Sequence, residues 1–91
     1  MENVIIGTKE NVEGLISSDK VTILDFGRPL HSGCGACDEI TKFLEQLVME
    51  TPNLQLVKIN TDVNMELCLE YSIRAVPKLF IFQNGIRKGE L

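Results

Sequence analysis

Two cysteines three residues apart, Cys34-Gly35-Ala36-Cys37, are the part of this chain best suited to chemistry. Two thiols at that spacing can close a small disulfide ring and open it again. A pair at the start of a helix gains more, because unpaired N–H groups and the helix dipole favour a thiolate there. The flanking residues describe such a place. Val21 to Phe26 is a nearly continuous β-branched and apolar run, as in a strand buried on both faces. A loop, Gly27 to Gly33, follows it. Beyond the cysteines, Ile40, Phe43, Leu44, Leu47 and Val48 recur at helical spacing, with Asp38 and Glu39 in the first turn and Pro52 ending the helix. In a reduced compartment and a βαβ context, this reads as a redox dithiol, with Cys37 near enough to attack a sulfur bonded to Cys34. Gly35 leaves room for a substrate backbone.

The elements that must hold this pair alternate regularly. Val4 to Gly7 reads as a strand. Thr8 can cap a helix carrying Val12, Leu15 and Ile16. Leu54 to Asn60 is a strand, Asn64 to Tyr71 a short helix and Lys78 to Gln83 a further strand. Asn84-Gly85 is a two-residue hairpin turn into Ile86 to Glu90. The order β-α-β-α-β-α-β-β predicts one α/β domain over residues 1–91. Three strands joined by helical crossovers run parallel in a mixed sheet, and the last pair is antiparallel. The Ile40–Val48 stripe, Phe80 and Phe82 are expected in the core.

Composition narrows the function. Ninety-one residues, 44% of them hydrophobic and 24% charged, make an ordinary globular domain with a modest core. Thirteen acidic against nine basic residues give a net charge of −4, which disfavours nucleic acid as the main partner. No apolar run reaches the roughly 18 residues that span a membrane. The N-terminus lacks the basic and apolar regions of a secretory signal, so the expected compartment is the cytoplasm.

In this order of elements, the chain resembles the thioredoxin family along nearly its whole length. The matching residues are Asp25-Phe26, Cys34-Gly35-x-Cys37, Lys58 within Val-Lys-Ile-Asn-Thr-Asp, Tyr71 to Pro77 (Tyr-Ser-Ile-Arg-Ala-Val-Pro), and Phe82-Gln-Asn-Gly85. The resemblance implies a thioredoxin-like fold and thiol–disulfide oxidoreductase activity, with no cofactor beyond a redox-active Cys34–Cys37 disulfide. It makes Cys34 the nucleophile and Cys37 the resolving thiol. Asp25 becomes the buried carboxylate that shuttles the proton of Cys37, and Lys58 its partner. Pro77 becomes a cis-proline facing the dithiol, with the Val76 backbone pairing with substrate. Gly35 and Ala36 lie at the substrate-binding surface. The implied partners are protein disulfides and a thioredoxin-reductase-type electron donor.

The chain also departs from the family. It has no tryptophan, and Gly33 precedes Cys34 in a lengthened loop, so the substrate platform must differ. Ala36 replaces the usual proline and restores an N–H near the thiolate. A couple more oxidising than the roughly −270 mV of thioredoxin is expected from that change, although Asp38 opposes thiol ionisation. The family's final helix is absent or truncated, which would leave Leu79 or Ile81 open and favour weak self-association. Other readings stand beside these. The cysteines could be a relic pair in a non-catalytic adaptor. A zinc site would have only His31 and Cys68 as further ligands, so no metal is expected. Cys68 reads as a small buried hydrophobe or a regulatory thiol. His31 reads as an exposed loop residue or a cation that lowers the pKa of Cys34.

Overall fold

A computed structural model of the protein describes residues 3–91. Its elements run β1 (Val4–Ile6), α1 (Val12–Ile16), β2 (Val21–Gly27), α2 (Gly35–Glu50), β3 (Leu54–Asn60), α3 (Met65–Glu70), β4 (Lys78–Gln83) and β5 (Ile86–Glu90). The five strands form one sheet in the order β1-β3-β2-β4-β5. The first three strands are mutually parallel, while β4 pairs antiparallel with both β2 and β5. The expected mixed sheet is therefore present, with β2 at its centre.

Alternation along the central strands separates two cores. Leu24 and Phe26 of β2, Val57 and Ile59 of β3, and Phe80 and Phe82 of β4 meet Val12 of α1 and Leu67 of α3 on one face. There, Phe26 lies 5.3 Å from the Tyr71 ring and 5.8 Å, edge to face, from Phe80. On the opposite face, Ile23, Leu54, Leu56 and Leu79 meet Leu44 and Val48 of α2. Asp25 and Lys58, paired in register, continue this second row beyond Ile23 and Leu56. Strand alternation thus turns both polar side chains toward α2.

Three connections hold the frame. Gly7 passes β3 so closely that a Cβ there would lie 2.6 Å from Val57 Cγ1 and 2.7 Å from Ile59 Cγ1. Asn84 and Gly85 have φ of 54° and 77°, as a type I′ hairpin requires. Their amides donate to the carbonyls of Ser18 and Ile16, each at 2.8 Å. Thr22 and Gln55 form a buried polar pair: Gln55 Nε2 donates to Thr22 Oγ1 at 2.9 Å and to the Leu15 carbonyl at 3.2 Å.

Three expectations need correction. The hydroxyl of Thr8 does not cap α1. Its carbonyl accepts the amides of Asn11 and Val12, and Asn11 holds the turn instead, accepting from Thr8 N–H and donating to the Ile6 carbonyl. Phe43 is not core but 61% exposed. It lies about 100° around the helix from Leu44, at the margin of the apolar stripe. Leu79 is not open: it packs into the α2-facing core, while Ile81 is half-buried against it.

Candidate active site

Strand β2 ends at Gly27, and the loop after it delivers Cys34 as the N-cap of α2. The loop is shaped by positive φ at His31 and Gly33. It is fastened by Arg28 to Asp62 at 3.5 Å and by the His31 amide, which donates to Asp38 Oδ2 at 3.4 Å. Cys34 and Cys37 are joined, with their sulfurs 2.10 Å and their Cα atoms 5.2 Å apart. The Cys37 amide donates to Cys34 Sγ at 3.1 Å, so this sulfur occupies the capping position where a side-chain oxygen commonly accepts the same bond. The two sulfurs differ in access. Cys34 is half-exposed, whereas Cys37 is 2% exposed. An attacking thiolate can meet a partner only at Cys34.

Asp25 lies beneath Cys37 and is itself 3% exposed. Its Oδ2 accepts the Thr41 hydroxyl at 2.6 Å, while its buried Oδ1 has no hydrogen-bond partner among the described residues. Burial pushes the carboxyl above its usual range. The Thr41 hydrogen bond and the Lys58 charge pull it back, and Glu45 adds to the upward push. Lys58 is not bonded to Asp25: its Nζ meets Glu45 Oε2 at 2.9 Å. The register aligns Lys58 with Asp25, but Glu45 on α2 is the closer anion. Lys58 therefore acts on Asp25 only through its field.

Gly27 fits between these groups. A Cβ at this residue would stand 3.4 Å from Cys37 Sγ and 3.8 Å from Asp25 Oδ1. One side of the site is a groove of about 830 Å³ whose walls include Gly27, Asp25, Cys37, Thr41 and Lys58. On the other side, a hollow of about 470 Å³ is lined by Ala36, Ile40 and Pro77 among others. The Val76–Pro77 peptide bond is cis, as the resemblance implies. Gly35 and Ala36 are exposed at the start of α2, and Val76 is half-buried. The residues singled out in the sequence thus gather around one end of α2.

His31 lies on the loop before Cys34, and Cys68 lies on α3. His31 is exposed, and only its backbone amide bonds to Asp38. Cys68 is half-buried, packs against the α1 and α3 side of the core, and burial pushes its thiol up. Among the described residues, no three His, Cys, Asp or Glu side chains converge as metal ligands, and no helix is long and apolar enough to cross a membrane. Thr41 and Glu45 escaped sequence reading. Their signal is the interval of four that stacks Cys37, Thr41 and Glu45 along α2.

A sheet of this order, with a cysteine pair capping α2 and a buried acid below it, defines a thioredoxin-fold protein with a dithiol site. Residues 3–91 match the thioredoxin family, and the chain belongs to it. It is 35% identical over 74 residues to a thioredoxin of Porphyra purpurea, an alignment covering 80% of this chain and 66% of that one. It is 34% identical over 82 residues to a thioredoxin of Chlamydia pneumoniae, covering 90% and 76% respectively. The chain thus spans just under two thirds of the algal relative's length. The crystal structure of thioredoxin from Trypanosoma brucei brucei shares the fold, with a TM-score of 0.81 at 23% identity over 97% of this chain and 74% of that one.

Proposed function

We propose that this protein exchanges its dithiol with disulfides of other proteins. The observation that carries the reading is the asymmetry of the pair: Cys34 is reachable at a helix N-terminus, and Cys37 is enclosed above Asp25. In the reduced protein, Cys34 thiolate attacks one sulfur of a substrate disulfide. The substrate S–S bond breaks, one substrate thiolate leaves, and a mixed disulfide forms on Cys34. Cys37 passes its proton toward Asp25 and attacks the Cys34 sulfur. The mixed disulfide breaks, the second substrate thiolate leaves, and the Cys34–Cys37 bond closes. The substrate gains two electrons and the protein loses two.

The exposed backbone at Gly35 and Ala36, with Val76 and Pro77 opposite, is the surface on which a substrate strand would lie. Electrons return from a separate dithiol-reducing enzyme, in a compartment that keeps thiols reduced, such as the cytoplasm. The dithiol is the whole redox centre.

Reduction of insulin by the pre-reduced protein tests this. Cys34→Ser is expected to abolish turnover. Cys37→Ser is expected to stall with substrate covalently attached to Cys34. A wild-type protein that reduces no disulfide, and whose Cys37→Ser variant captures none, is a binding module instead.

A further inference from the structure

Cys37, Thr41 and Glu45 form a polar row along α2, facing β2 and β3. Cys37 belongs to the dithiol, and Glu45 is held by Lys58. Thr41 remains to be explained. A threonine within a helix ordinarily returns its hydroxyl to a backbone carbonyl one turn earlier. Here the hydroxyl reaches across to β2 and donates to Asp25 Oδ2 at 2.6 Å. That bond fixes the carboxylate by one oxygen and leaves the other, Oδ1, without a partner among the described residues. Oδ1 is also the oxygen nearest the point beside Gly27 that touches Cys37 Sγ.

We propose that Thr41 is a positioning residue for the dithiol reaction: its hydroxyl anchors Asp25 through Oδ2, keeps Oδ1 directed at the Cys37 sulfur, and holds the carboxylate in its proton-accepting form. The inference rests on the roles given above to Cys37 and Asp25. Around Asp25, the charged or titratable neighbours are Cys37 and Glu45 on α2 and Lys58 on β3; β4 offers only Leu79 in register. Lys58 is shared with Glu45, whose charge opposes its effect. Among the described residues, the Thr41 hydroxyl is therefore the one uncharged donor that favours the ionised acid at close range. Without it, buried Asp25 keeps its own proton longer as pH rises and accepts that of Cys37 less readily. The proton then remains on Cys37, and its attack on the Cys34 mixed disulfide slows.

The test compares Thr41→Val, which keeps the shape and loses the hydroxyl, with Thr41→Ser, which keeps the hydroxyl. Thr41→Ala covers the case in which valine packs poorly. In the oxidised protein, the carboxyl carbon of Asp25 is followed by nuclear magnetic resonance against pH. Its midpoint is expected to rise by about one pH unit in the valine and alanine variants, as for loss of a hydrogen bond to a charged group. It should stay near wild type in the serine variant. Product release from the Cys34 mixed disulfide, measured below the wild-type Asp25 midpoint, should slow by up to about tenfold in the same two variants. The first attack by Cys34, measured in a Cys37→Ala background, should not change. An unmoved midpoint in valine and alanine variants of an active protein, or a serine variant that behaves like valine, overturns the role of Thr41. A wild-type protein that reduces no disulfide overturns the oxidoreductase reading instead, whatever the Asp25 midpoint does.

Discussion

Asp25 occupies a strand position that an aliphatic side chain would fill at lower cost. Its neighbours in the same row are Ile23 and Leu79, and its nearest cation is engaged elsewhere. Burial raises its folded-state pKa, so the folded protein holds this proton more tightly than the unfolded chain does. The associated stability is complete below the ordinary carboxylate range. It is lost as pH climbs from there to the raised value, because the charged acid must then stay buried. Asp25→Asn removes that loss. Its thermal midpoint is expected to match wild type near pH 3 and to exceed it increasingly toward pH 8. A gap that is constant or reversed across this range contradicts a strained buried carboxylate. Asp25 is legible in sequence because a lone acid interrupts an apolar run. Thr41 and Glu45 are not, since a threonine and a glutamate on a helix look like solvent-facing residues. They acquire meaning only when the β2–β3 register sets Asp25 and Lys58 against α2.

At the level of elements, the chain after β1 lies so close against β3 that its Gly7 has no room for a side chain. Val57 and Ile59, which a Cβ would strike, are β-branched and fully enclosed, so neither can swing aside. Gly7→Ala is expected to cost about 1–3 kcal/mol by overpacking, lowering the melting temperature by about 4–8 °C per kcal/mol in a domain of this size. A calorimetric midpoint within a degree of wild type would show that β1 can shift freely. The strands β3, β4 and β5 can be read from sequence to the residue, because alternation and the Asn-Gly turn are local signals. The start of α1 cannot. Thr8 and Asn11 are both good cap residues, and the choice follows from Asn11 reaching the Ile6 carbonyl, a contact with the preceding strand. Phe43 fails for a related reason: helical spacing identifies a stripe, but only the part of it that meets the sheet, Leu44 and Val48, is enclosed.

For the molecule as a whole, one aromatic group joins three elements of the sheet's α1 and α3 side. Phe26 on β2 touches Tyr71 after α3 and Phe80 on β4, and is itself fully buried. Phe26→Ala is expected to cost about 3–5 kcal/mol. That is a large part of the roughly 5–15 kcal/mol that stabilises a typical domain. The urea midpoint should fall steeply, whereas Phe26→Leu should lose less than about 1.5 kcal/mol. Equal midpoints for the two would mean that the aromatic contacts, rather than the volume filled, carry this stability. Alternation identifies Phe80 and Phe82 as core residues, and the continuous apolar run of β2 marks Phe26. Neither signal reveals that Tyr71 completes their cluster, because Tyr71 lies just past a helix end with no repeating pattern to mark it.

The strand order also has a temporal side. β2 is the second strand made, yet both of its neighbours, β3 and β4, are made later. A growing polypeptide therefore carries both sulfurs before the Val76–Pro77 segment, about forty residues later, has been made. During that interval the thiols exist without the wall that will face them. The finished site thus waits on residues translated well after its cysteines.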